Sequence, residues 1–459
     1  MSASNAQRFD PGFPSSQRTA LSRRVVLKGA LVGAGVLALP QILGACGDDD
    51  EATTTTAAPG TTGGGTGEVT STELEVFSWW TGGGEAAGLD AMIAIWNSQY
   101  PNTKFVNAAV AGGAGSNAKA VLAQRLEAND PPDSFQGHAG AELSDYIKAG
   151  QVEELNSYYE EWGLGDVFPS DLVDQITVDG KIYSVPVNIH RANVLWSNPT
   201  VVADAGITAT PESFDDFIAA LDKVKAAGKT PLALAEQWTV KHLMETVMIS
   251  KLGAEAWAGL WTADGDWSSA DVTDALEGFK TLFGYVNSDY ASLTWQDAAK
   301  RVVDGEAAYN VMGDWADGYF TELEKTPRTD YDWAPVPGTA GVYDWLSDSF
   351  TKAKGGKHPD ATVAWLKLCS SKEGQDAFNP VKGSIPARKD ADTSKYGVYL
   401  QSAMEDWKTA TLAGSLAHGV VASNAWNTDI DGALGLFLED KDVAAFQDAL
   451  LTAHDTYAV

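Results

Sequence analysis

The chain has 459 residues, with 32 Lys and Arg against 62 Asp and Glu for a formal charge of −30, and it carries 16 Trp but only two Cys. A surface this acidic repels a phosphate backbone, and no basic run is long enough to offset it, which excludes nucleic-acid binding. With 44% apolar residues the chain is too hydrophobic to be a disordered acidic polymer, and cysteines at 46 and 369 cannot frame a disulfide-built fold.

The N-terminus reads first as an address. Arg23 and Arg24 precede an apolar run over 29–38 and the small-residue sequence Leu43, Gly44, Ala45, Cys46. This is the basic, apolar and cleavage-site order of a secretory signal over 1–45, with a twin-arginine look. The last four residues resemble a lipobox, in which Cys46 takes the lipid. Interrupted by Pro40 and Gln41, the apolar run falls short of the ~20 residues that a membrane span needs. Removing 1–45 leaves 27 basic and 61 acidic residues, a charge of −34. The stretch 46–72, rich in Thr, Ala, Pro and Gly, reads as a flexible tether.

From residue 73 the pattern alternates. A strand is expected at 74–78, then a helix at 85–99 with Leu89, Met92, Ile93 and Trp96 on one face. A strand at 104–107, a helix at 117–128, a strand at 133–136 and a helix at 141–148 follow. Strict alternation predicts parallel βαβ units. The style resumes with a strand at 194–196, a helix starting at Thr210, Pro211 and Glu212, and a strand at 307–312. Ser370 and Glu373 form a capping-box pattern before a helix at 375–378. Nearly 390 residues after the tether exceed what one core supports, so two lobes are expected, linked by ordered crossovers.

Open α/β sheets bind ligands beyond the carboxyl ends of their strands. After the first strand stand Trp79 and Trp80, three glycines and Glu85; after the third stand Gln136 and His138. Adjacent tryptophans on a strand point to opposite sides. Indole faces stack on the C–H face of a sugar ring while acids, amides and imidazoles bind its hydroxyls. Other patterns are weaker. Lys229 and Thr230 follow Gly228 as in a phosphate loop, but position 223 is Lys where that loop needs Gly, and a turn is expected. The glycines at 82–84 and 112–115 read as turns. No His-x-x-x-His pair or nucleophile elbow occurs, Cys369 reads as a buried small hydrophobe, and no metal or cofactor is expected.

Seven segments in colinear order, FSWWTGGGE at 77–85, QGHAG at 136–140, YSVPVNIH at 183–190, VMGDW at 311–315, LSDSF at 346–350, GQDAFN at 374–379 and KGSI at 382–385, resemble the glucose/galactose-binding branch of ABC-transporter sugar-binding lipoproteins. The resemblance runs from about 73 to about 440 and implies an α/β, two-lobe periplasmic-binding-protein-like fold of type II, each lobe a mainly parallel sheet flanked by helices. The lobes would divide as 73–187, then 188–340, a return over 341–390, and C-terminal helices over 391–459 mainly with the second lobe. It implies that Trp80, Trp295 and Trp315 wall the sugar with Trp79 beside them, and that Glu85, Gln136, His138, Asp348, Lys382 and His418 bond its hydroxyls. Trp79, Trp80, Gln136, His138 and Asp348 would belong to the first lobe, Trp295 and Trp315 to the second.

The function so implied is non-catalytic capture of a monosaccharide, glucose or galactose, for delivery to ABC permease subunits. The protein would be a monomer outside the cytoplasm, held to the membrane by its lipid. The alternatives are an extracellular carbohydrate-active enzyme, since Trp and carboxylates serve both, and a sugar receptor that signals.

Overall fold

The computed structural model describes residues 68–458. The signal, Cys46 and most of the tether lie outside the described residues. Alternation produces parallel pairing where the loops are short. Glu73–Phe77 lies between Lys104–Asn107 and Ser134–His138, parallel to both, and the helices Gly83–Gln99 and Ser116–Glu127 make the crossovers. The expected boundaries hold to within two residues at each of these elements. Leu89, Met92 and Trp96 are the buried face of the first helix, and Ile93 is partly buried.

The expectation of mainly parallel sheets needs correcting. Two later segments complete the first sheet antiparallel: Asp348–Thr351 pairs with Ser134–His138, and Ser184–Pro186 pairs with Asp348–Thr351. A second, four-stranded sheet runs Asp332–Pro335, Val194–Ser197, Ala307–Val311, Thr230–Ala233, and only its last pairing is parallel. Strands that arrive from another part of the molecule are not tied to a crossover helix, so nothing constrains them to run parallel. A three-stranded sheet joins the two, with Val342–Leu346 antiparallel to His190–Arg191 and parallel to Thr411–Gly414. One apolar core surrounds the first sheet (Leu74, Phe135, Met92, Trp365) and another the second (Leu232, Leu243, Phe279, Val311).

Two helix starts differ from expectation. The helix placed at Thr210 begins at Phe214, because Ser213 and Asp216 form a reciprocal capping box three residues on. Ser370 ends the helix Pro359–Ser370, and its neighbour Ser371 caps Lys372–Lys382 by accepting from Gly374 N. The segment 141–148 is a 3₁₀ turn followed by the short helix Ser144–Lys148. Cys369 is fully buried in its helix, and Lys229 stands in a turn before Thr230–Ala233.

Close helix packing then aims side chains inward. A Cβ on Gly84 would meet Val381 O at 2.5 Å, so glycine lets Gly83–Gln99 lie directly on Lys372–Lys382. That contact brings Glu85, in the first turn of one helix, to Lys382, the last residue of the other.

Candidate functional site: an aromatic cavity with a buried polar wall

A small cavity opens where strand ends and helix N-termini converge. Eight of the ten sequence-derived residues line it: Trp79, Glu85, His138, Trp295, Trp315, Asp348, Lys382 and His418. Trp295, Trp315 and Trp238 all sit at the first or second position of a helix; for Trp315 and Trp238 that helix follows a strand of the second sheet, and for Trp295 it follows a 3₁₀ turn.

Trp80 and Gln136 do not line it. Trp80 turns to the opposite side of the strand from Trp79, is 1% exposed, and packs with Phe378 at 4.8 Å and Phe350 at 5.6 Å between ring centroids. The expected roles of the pair are therefore exchanged: Trp79 walls the cavity and Trp80 is core. Gln136 stands behind the wall, where its Nε2 donates to Asp348 Oδ1 at 2.8 Å and its Oε1 accepts from Trp79 N at 3.2 Å.

Asp348 is the centre of the polar wall. Its Oδ2 accepts from Asn188 Nδ2 at 2.8 Å and lies 3.3 Å from His190 Nε2, while its backbone N–H donates to Asn188 Oδ1 at 2.7 Å. Burial opposes its ionisation, but His190, Lys382 and His138 outweigh burial and hold the carboxyl well below the usual range. His190 in turn is bonded through Nδ1 to the buried Asp314; burial lowers its pKa, the two carboxylates raise it, and the net direction is up. Glu85 behaves oppositely to Asp348. Burial pushes its pKa up, only partly countered by Lys382 Nζ at 3.2 Å.

His138 is oriented from behind. Its Nδ1 lies 2.6 Å from Glu142 Oε2, which also accepts from Lys119 Nζ at 2.8 Å. Burial alone would raise Glu142, but Lys119 and His138 bring it down to about 2. As a carboxylate it can only accept, so His138 donates to it from Nδ1. Across the cavity, indoles provide the walls: the Trp315 ring stands 5.1 Å from His418, 5.3 Å from His190 and 6.2 Å from Trp238, with Lys382 Nζ 5.7 Å from its centroid.

Sequence reasoning missed His190 and Trp238. His190 ends a segment quoted above without a role. Trp238 lies five residues past the end of the strand Thr230–Ala233, on the helix that follows it, so reading what comes after that strand would have found it. Ala114 also lines the cavity, in the glycine stretch 112–115. A Cβ on Gly113 would meet Trp238 Nε1 at 2.4 Å, so the backbone itself lies against that indole. Ala114 and Trp238 separate the cavity from a larger one of about 490 Å³ edged by Lys119, Asp145, Lys241, Asn427 and Asp431.

Enclosed indoles, fixed acceptors and a balanced set of charges make a receptacle for a small polar molecule. The family model for bacterial extracellular solute-binding proteins matches residues 75–376. The chain belongs to that family. An uncharacterised ABC transporter extracellular-binding protein of Pyrococcus horikoshii is 36% identical over 378 residues, 81% of this chain and 85% of the relative. A xylose/arabinose-binding protein of Haloferax volcanii is 31% identical over 397 residues, 84% of this chain and 86% of the relative. Among solved structures, a bacterial solute receptor described as having an exclusive preference for β-D-galactopyranose superposes with a TM-score of 0.73 at 18% identity, covering 84% of this chain and 98% of the receptor. That likeness is one of fold: the mixed α/β architecture of a periplasmic-binding-protein-like molecule. Membership supports a binding role without catalysis for this solute-binding protein.

Proposed function

We propose that the chain captures one monosaccharide, glucose or galactose foremost, and delivers it to the permease subunits of an ABC importer. The observation that carries the reading is the make-up of the cavity itself, walled by Trp79, Trp238, Trp295 and Trp315, with Asp348, Glu85, Lys382, His138 and His418 around the rings. Apolar faces opposed by fixed acceptors and a lysine suit a neutral ring edged with hydroxyls. The sugar named for the Haloferax volcanii relative and the sugar preferred by the receptor of like fold are both consistent with it.

In this reading Trp79, Glu85, His138 and Asp348 belong to one lobe, and Trp238, Trp295 and Trp315 to the other, with crossovers near 187, 340 and 390. A ligand touching both lobes stabilises the closed form over the open one. Cys46 would carry the lipid, holding the globule outside the cytoplasmic membrane on its tether.

Calorimetry over glucose, galactose, xylose, arabinose and a disaccharide series tests the proposal. A hexose binding near micromolar, about −8 kcal/mol, is expected. Binding of disaccharides with no response to any monosaccharide would overturn the single-ring assignment, and release of products from oligosaccharides would establish the enzyme alternative.

A further inference from the structure

His418 is the hydrogen-bonding group that faces the sugar cavity from the aromatic side, and what stands behind it is a chain of bonds. Its Nδ1 lies 2.9 Å from Ser415 Oγ, which lies 2.9 Å from Glu245 Oε1. The other oxygen of Glu245 accepts from Ala417 N at 2.7 Å. Glu245 is fully buried on the helix Gln237–Leu252, two turns beyond Trp238.

A carboxylate can only accept. With Glu245 ionised, the Ser415 hydroxyl must donate to it, and Ser415 Oγ must accept from His418 Nδ1–H. Nε2 is then a bare acceptor. With Glu245 protonated the bonds can reverse.

We propose that Glu245 and Ser415 are positioning residues that set the tautomer of His418, so that the protonation state of a carboxyl outside the cavity decides whether Nε2 accepts from a sugar hydroxyl or donates to one. The step balances. A proton enters at Nε2, the Nδ1 proton passes to Ser415 Oγ, and the Ser415 proton passes to Glu245 Oε1. His418 is neutral before and after, and one proton is gained overall.

The surroundings fit this role. Burial pushes Glu245 up to about 7, against the opposing pull of Ala417, Ser415, Leu416 and Lys241. The titratable and charged groups facing it are Asp344 on Val342–Leu346, His418, Lys241 and His242 of its own helix, and Arg191 beyond Asp344. Both Asp344 oxygens are buried without a partner, and burial together with Glu245 raises its pKa well above the carboxylate range. Burial thus favours the neutral form of Asp344, and Glu245 is the member of the pair bonded to Ser415. Burial, with His138, His242, Lys119 and His190 close by, lowers His418 well below the usual imidazole value, so it changes tautomer without becoming charged.

The tautomer is independent of ligand identity, although its consequence for affinity rests on the sugar reading above. Nitrogen NMR of the full chain labelled at histidine, with His418 assigned from a His418→Asn spectrum, reads it directly. From pH 8.5 to 5.5, Nε2 is expected to pass from acceptor-type to N–H-type, with sugar affinity changing at least threefold. In Glu245→Gln the carbonyl oxygen must accept from Ala417 N, leaving the amide to donate to Ser415, so His418 is expected to hold the Nε2–H form at every pH. Ser415→Ala is expected to remove the pH step. The same His418 tautomer in the parent and in Glu245→Gln at every pH would overturn the relay. A tautomer switch with no response to any sugar would uphold it and overturn the sugar reading.

Discussion

The cavity has two unlike walls. The side built on the first sheet is polar and cross-linked: Asp348, His138 and His190 each have a buried partner fixed before any ligand arrives. The side built on helix N-termini of the second sheet is aromatic: Trp238, Trp295 and Trp315 are held by packing, and His418 supplies a hydrogen bond. The difference teaches a division of labour. The polar wall fixes hydroxyl directions at the cost of burying charge, and the aromatic wall supplies area with little penalty.

The comparison breaks most sharply at the tandem tryptophans. Trp80→Ala is expected to cost stability by about 3–5 kcal/mol, seen in urea unfolding, with the folded fraction binding sugar normally. Trp79→Ala should show the reverse pattern. On the polar wall, Asp348→Ala removes the acceptor of Gln136, Asn188 and His190, and sugar affinity is expected to fall by about 2–3 kcal/mol in calorimetry, roughly a hundredfold. On the aromatic wall, Trp295→Ala is expected to lose about 1–2 kcal/mol of affinity, with folding largely kept.

Stability should follow pH with a sign set by buried acids. Burial raises Asp317 to about 6 and Glu245 to about 7, so their contribution is fully present below about 4.5 and lost as pH rises through 6 to 7. Glu142, held down to about 2, contributes above about 4.5 and loses its contribution as pH falls through 2. Melting temperature is therefore expected to peak near pH 4.5 and to fall by a few degrees toward pH 7, with Asp317→Asn flattening part of the slope. The smallest effect concerns salt. A neutral ligand should bind within about twofold between low and high ionic strength, whatever the chain's net charge.

Much of this was legible in order along the chain. The strand at 104–107 and the buried face of the first helix follow from periodicity alone, and strand ends pointed to Trp79, Glu85 and His138. What stayed hidden depends on three dimensions. Adjacent indoles on a strand must part company, but which one meets solvent space depends on Phe350 and Phe378, nearly 300 residues away. His190 gains meaning only from Asp314 and Asp348 beside it. The antiparallel strands were missed because they return from crossovers that carry no local sign of direction.

The close pairing of indole and imidazole has a spectroscopic consequence. Trp79 stands 4.9 Å from His138, and Trp315 stands between His190 and His418. Indole emission is sensitive to a neighbouring imidazole's protonation and to water at the ring. Occupation of the cavity should therefore be readable from the protein's own fluorescence, without a label, as a change in intensity and wavelength that Trp80, sealed among phenylalanines, does not share.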